Sequence, residues 1–226
     1  MNTLIYKHRL ILLILLAIIV DFLPYIRLPF VWTETFFHEI SHGIAALVSG
    51  GSIISITLNY DGSGLCVNQG GRQFLVSFFG YAGSSILGTA LFLVTEKINS
   101  KTSTVVLLAI EAIILIALLL WARTLSTYII LILIFATLAL ASRLYRSKNL
   151  NYFLKFLAVF VVLDAIRSPL ALLDGRHVGD GAALSRLTFI PEMVWVIVWF
   201  MIGVSCLYWM YLSSYRKSAK TRINWA

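Results

Sequence analysis

The chain has 226 residues, of which 60% are hydrophobic and 12% charged, with a mean hydropathy of +0.90 and a formal net charge of +8. Soluble domains run at about 45–50% apolar and about 25% charged residues, so this balance excludes a water-soluble architecture and points to an all-α polytopic membrane protein. The surplus lysine and arginine sits in short loops and at the termini, where it reports topology and lipid headgroups; no basic arm interleaved with aromatics offers a nucleic-acid surface.

Lys7, His8 and Arg9 precede an apolar run from Leu10 to Val20. This resembles the start of a signal peptide, but Asp21, Phe22, Leu23 and Pro24 follow where a small-residue cleavage site belongs. The pattern predicts an uncleaved first membrane helix, broken near Pro24, with Asp21 at the interface or, alternatively, facing an internal cavity. A second helix is expected after Pro29, with Thr33 as N-cap, Glu34 as a favourable charge in its first turn, and Gly50-Gly51 as its end. Glu34 also stands one turn before His38 on the same face, as an outer partner of that histidine would.

This helix carries His38-Glu39-Ile40-Ser41-His42. Positions i and i+4 share a helix face, so the two imidazoles reach one metal ion, with Glu39 beside them. In the H-E-x-x-H arrangement the histidines hold zinc, zinc acidifies a water, and the glutamate is a general base rather than a ligand. Five residues recur by chance in unrelated chains. Three ionisable groups in one turn of a membrane helix, however, cost about 2.5–3.5 kcal/mol each and need a reason. The chain holds only four histidines, and two of them are here.

Residues 52–58 are β-branched and partly alternating, Asp61-Gly62-Ser63-Gly64 forms a turn, and Leu65-Cys66-Val67 returns as a second strand. A hairpin next to a membrane helix must line a cavity or lie at the interface, because open edges are unsatisfied in lipid. A third helix over 73–95 carries Gly80, Ser84 and Gly88 at i+4 spacing, with Gly83 alongside. That small-residue stripe admits a close neighbour, expected to be the helix with the histidines. Two apolar runs, 103–121 and 125–142, read as scaffold. Cys66 and Cys206 have no metal-type spacing and read as unpaired thiols.

After a basic loop (Arg143, Arg146, Lys148, Lys155), Phe156 to Leu163 runs straight into Asp164. A carboxylate behind eight apolar residues is a functional candidate by its cost alone. A broken polar stretch follows, with Arg167, Pro169, Asp174, His177 and Asp180. A last span over 190–212 has Trp195, Trp199, Tyr208, Trp209 and Tyr211 as interface anchors. The total is about seven spans in one domain, 1–226. The lysines and arginines at 97, 101, 143–155 and the tail outvote Lys7 and Arg9 and place the C-terminus in the cytoplasm.

Taken together, His38-Glu39-Ile40-Ser41-His42-Gly43, Gly50-Gly51, Asp61-Gly62-Ser63-Gly64, Gly70-Gly71 and Gly80-Tyr81-Ala82-Gly83-Ser84 resemble the site-2 proteases, in particular their small bacterial and plant branch. Leu163-Asp164, Gly179-Asp180-Gly181-Ala182 and Ile190-Pro191 with Trp195 and Trp199 extend the resemblance. It implies an intramembrane zinc metalloprotease that cuts transmembrane segments of membrane-protein substrates, lodged in the lipid bilayer, for a bacterial chain the inner membrane. It also implies a third zinc ligand, an aspartate from a later helix. Asp174 lies in Pro169-Leu170-Ala171-Leu172-Leu173-Asp174-Gly175, which resembles the motif of the larger members, although Ile166 stands where their asparagine is expected. Asp180 resembles the small branch's motif with glycines for the flanking serine and alanine. Asp164 resembles it too and lies deepest in an apolar helix, so the expected zinc set is His38, His42 and Asp164, with Glu39 catalytic. Two other readings compete: an inactive scaffold of the same fold, for which Glu39 would be superfluous, and a transporter, for which no internal repeat is seen.

Overall fold

The computed structural model describes residues 3–97, 100–145 and 147–223, with side chains placed for 8–97, 102–145 and 149–215. It is mostly helical: α1 (Thr3–Asp21), α2 (Leu28–Val48), α3 (Gln73–Lys97), α4 (Ser100–Leu120), α5 (Leu125–Leu144), α6 (Ser147–Arg167), α7 (Asp180–Thr188) and α8 (Glu192–Ile223). Strands β1 (Ser52–Leu58) and β2 (Gly64–Gln69) form an antiparallel hairpin between α2 and α3, as the alternation predicts, with a register shift between Ile53 and Ser55. Lys7, Lys101, Arg146, Lys148 and the basic tail, which carry much of the orientation argument, lie outside the described side chains.

Among the described residues, five helical stretches are long and apolar enough to cross a membrane: Gln73–Lys97, Thr102–Leu120, Leu125–Leu144, Asn149–Leu173 and Glu192–Tyr215. The seven expected spans are thus met by five. α2 falls short because Glu34, Glu39 and two histidines interrupt its apolar character. For α1 the described side chains begin only at residue 8.

α2 starts earlier than the sequence suggests. Pro29 occupies its first turn, where a missing N–H costs nothing, and Thr33 is already one turn inside, donating to the Pro29 carbonyl at 2.6 Å. Glu34 is therefore a buried mid-helix residue and not a charge at the N-terminus. α3 lies against α2, α6 and α8. Its small residues serve two neighbours: a Cβ on Gly83 would meet Ser41 of α2, and one on Gly88 would meet Val162 and Val161 of α6. The stripe thus packs against α6 as well as the expected α2.

The hairpin is tied to the scaffold by its first strand. Ile56 N–H donates to the Trp121 carbonyl at 2.9 Å and Leu58 N–H to Thr127 Oγ1 at 2.8 Å, so the α4–α5 connection covers the outer side of β1. β2 pairs with no further strand among the described residues. At the opposite end of the bundle, Arg9 of α1 bonds to Glu96 of α3 at 2.6 Å and to Ser214 of α8 at 2.8 Å, with Lys155 of α6 3.5 Å from Glu96. Four helices meet in that buried ionic knot.

Trp195 and Trp199 are not interface anchors. Both are buried and pack with Phe78 and Tyr81 of α3, and Trp199 Nε1 donates to the Phe78 carbonyl at 2.9 Å. Tyr208, Trp209 and Tyr211 are exposed, as are Phe200 and Tyr215 of the same helix.

Candidate metal centre

The helical rise of α2 sets His38 and His42 edge to face, with ring centroids 4.6 Å apart and Nε2 atoms 3.0 Å apart. Asp180 comes to them from α7. Its Oδ2 lies 3.2 Å from Nε2 of His38 and 3.2 Å from Nε2 of His42. Among the described residues these three form the group of His, Cys, Asp or Glu donors that converge on one point. Tetrahedral ligands at about 2.0–2.1 Å from zinc stand about 3.3–3.4 Å from one another, close to the spacing found. Three lone-pair donors so near in a mostly buried site repel unless a cation or protons lie between them. Two imidazoles, one carboxylate and this spacing fit zinc.

The surroundings fix which ring atoms face the point of convergence. Nδ1 of His42 lies 2.7 Å from the Val76 carbonyl. A carbonyl only accepts, so the proton sits on Nδ1 and the Nε2 lone pair is free for the centre. The His38 ring rests on Tyr81, centroids 4.3 Å apart, and Tyr81 in turn packs on Trp199. Its Nδ1 is buried without a hydrogen-bond partner. α3 approaches so closely at Gly80 that any Cβ there would sit 2.5 Å from Nε2 of His42 and 2.7 Å from Cε1 of His38.

Asp180 owes its place to Gly179, which caps α7 at φ 92°, a backbone conformation open to glycine and strained for other residues. Burial raises the Asp180 carboxyl, but the two imidazoles facing it outweigh that and hold the group below the ordinary carboxylate range, so it offers its oxygen as an anion.

Glu39 is buried next to the pair, with its carboxyl beneath β2. A Cβ on Gly64 would strike its Oε1, and the Cys66 backbone faces the same carboxyl. The centre opens into a cavity of about 590 Å³ lined by β2, the start of α3 and Leu172.

The other candidates lie elsewhere. Asp164, expected as the third ligand, accepts from Arg167 Nη2 at 2.6 Å and from Ser168 Oγ at 2.6 Å, outside the His38–His42–Asp180 group. Arg167 also pairs with Asp21, so the buried carboxylate finds its counter-charge one helical turn away rather than in a metal. Asp21 is in this ion cluster, with Arg27 3.5 Å away. Asp174 is in a solvent-facing turn, where the Arg176 backbone and side chain bond to it and lower its carboxyl below the usual range. His177 is exposed and faces Glu192 at 3.4 Å. Cys66 and Cys206 are both free thiols.

Sequence reasoning missed Tyr81 and the Val76 carbonyl as supports of the two imidazoles. A backbone carbonyl leaves no sequence signal, and Tyr81 is one aromatic among ten tyrosines.

The family model described as Peptidase M50B-like matches residues 11–210 of the chain. No curated protein and no solved structure matches it.

Proposed function

The chain belongs to the M50B-like peptidases, and from that premise we propose that it is an intramembrane zinc endopeptidase acting on membrane-protein segments, in the inner membrane if the host is bacterial. The observation that carries this reading is the convergence of His38 Nε2, His42 Nε2 and Asp180 Oδ2 within 3.0–3.2 Å of one another, beside a buried Glu39. We assign Asp180 as the third ligand in place of Asp164. α1 and α2 complete a set of seven membrane helices in this reading.

When bound, zinc supplies Lewis acidity at the scissile carbonyl and makes water a nucleophile at neutral pH. The chain's own residues do the rest. His38, His42 and Asp180 would hold the ion where the site opens into the larger cavity. Glu39 takes a proton from water as it adds to the carbonyl carbon, and returns that proton to the nitrogen as the C–N bond breaks. One water is consumed, and one carboxyl and one amino terminus are released. β2, which lines the cavity with an unpaired side, holds the unwound substrate extended by strand addition. That matters because a helical substrate keeps its carbonyls in hydrogen bonds.

The test is purification in detergent with metal quantification, combined with co-expression of single-span membrane substrates. Stoichiometric zinc in the wild type, lost in His38→Ala, together with cleavage lost in Glu39→Gln, is the expected result. A protein that binds no zinc, or that cleaves equally well without Glu39, overturns the reading. Zinc bound without any cleavage across a broad substrate panel favours the inactive scaffold.

A further inference from the structure

His38 and Glu39 face a second cavity, of about 350 Å³, on the side of the hairpin turn. The two cavities differ in chemistry. Apart from the residues of the centre itself, the larger one is lined by uncharged residues such as Leu65, Asn68, Gln73 and Ser77. The smaller one is lined by Arg27, Glu34, Asp61, Asp164 and Arg167.

Four of those five charges are already engaged. Arg167 pairs with Asp21 and Asp164, Arg27 lies 3.5 Å from Asp21, and Asp61 accepts from the Ser63 backbone at 2.9 Å. Glu34 differs. It is 5% exposed, its Oε1 is buried without a hydrogen-bond partner, and its carboxyl faces that of Asp164. Two carboxyl groups meeting in a buried, low-dielectric wall draw in a hydrogen-bond donor, and a cation best of all. A metal ion is the weaker occupant, because no third donor atom converges there among the described residues.

Resting on the peptidase reading above, we propose that this second cavity is the subsite for the residues just C-terminal of the cut bond, and that Glu34, backed by Asp164, selects a cationic side chain there. The chemistry of the cut favours this side. The fragment leaving toward Glu39 carries the new amino group, which is cationic at neutral pH. Glu34 Oε1 is the acceptor without a hydrogen-bond partner in the wall beside Glu39, one turn from His38 along α2, while the rest of its carboxyl meets Asp164. The larger, uncharged cavity then takes the residues N-terminal of the cut.

The experiment uses full-length, zinc-loaded protein in detergent and two succinyl peptide hydroxamates. Their hydroxamate seeks the metal and their peptide runs to the leaving-group side; one ends in Leu-Lys-amide and the other in Leu-Glu-amide. Acetohydroxamate, which carries no peptide, reports the metal centre alone. The lysine probe is expected to bind about tenfold or more tighter than the glutamate probe, as a desolvated charge pair does. Glu34→Gln keeps the shape and is expected to bring the two probes to within about twofold while binding acetohydroxamate as the wild type does. Equal binding of the two peptides to the wild type overturns the subsite and leaves the metal centre standing, as does an unchanged preference in Glu34→Gln. Failure of all three hydroxamates to bind overturns the metal-centre reading and the subsite with it.

Discussion

Gly80 of α3 leaves no room for a methyl group against His42: a Cβ there would stand 2.5 Å from the imidazole Nε2. At Gly88, eight residues further along the stripe, an added Cβ would instead stand 2.8 Å from Val162 of α6. The two glycines therefore serve different ends. Gly80→Ala is expected to push both imidazoles off their common point and to weaken zinc binding by about tenfold or more, the scale seen when ligand orientation is lost. Gly88→Ala overpacks the helix interface, at a cost of about 1–3 kcal/mol, partly offset by about 1 kcal/mol from alanine's better helix propensity, with zinc affinity unchanged. Chelator competition and melting in detergent separate the two. Wild-type zinc affinity in Gly80→Ala would show that α3 yields.

Glu39→Gln keeps the shape of the side chain and removes the base. Zinc content is expected to be that of the wild type, because the carboxyl lies beneath β2 rather than among the converging donors. Cleavage is expected to fall by about 10²–10⁴-fold. Loss of zinc in this variant would reassign Glu39 as a ligand.

Asp180→Asn, Asp164→Asn and Asp174→Asn form a series at nearly constant size. Only Asp180 is within 3.2 Å of both imidazoles, so its amide variant is expected to lose zinc sharply, a neutral amide being a poor zinc donor. Asp164→Asn is expected to retain zinc but to loosen Arg167, with a lower melting temperature. Asp174→Asn, in its exposed turn, is expected to change neither. Zinc retained by Asp180→Asn and lost by Asp164→Asn would restore the aspartate the apolar run suggested.

The buried knot at the other end of the bundle predicts an unequal pair of effects. Glu96 faces two cations, Arg9 at 2.6 Å and Lys155 at 3.5 Å. Removing one partner of a buried ion pair costs about 3–5 kcal/mol. Glu96→Gln removes the carboxylate that two buried cations share and is expected to destabilise more than Arg9→Met. Denaturation in detergent gives the order, and the reverse order would mean that Arg9 is held chiefly by Ser214.

Much of the fold was legible because its signals are local. An apolar run of sufficient length is a helix in a membrane whatever surrounds it, and β-branched alternation closed by Asp61-Gly62-Ser63-Gly64 is a hairpin. The ends of α3 and α5 lie within two residues of the expected ones. The start of α2 was misplaced because Thr33 reads as a cap, whereas Pro29 had already nucleated the helix. The tryptophans of α8 were misplaced because amphipathic aromatics suit an interface, and only the approach of Phe78 and Tyr81 decides that they are buried.

The same division runs through the metal centre. The sequence by itself placed His38, Glu39 and His42 together, because their geometry is the rise of a single helix and needs no other element. It did not determine the aspartate. Asp164 drew attention as a buried charge needing a cation, and it has one: Arg167, three residues on, together with Ser168. Asp180 was the less apolar choice. It reaches the imidazoles because the chain turns at Ser168–Leu173 and Gly179 adopts a backbone few other residues accept, carrying α7 back over α2. A donor contributed from a distant element is set by how helices pack, and packing is a property of the whole bundle that no stretch of the chain contains.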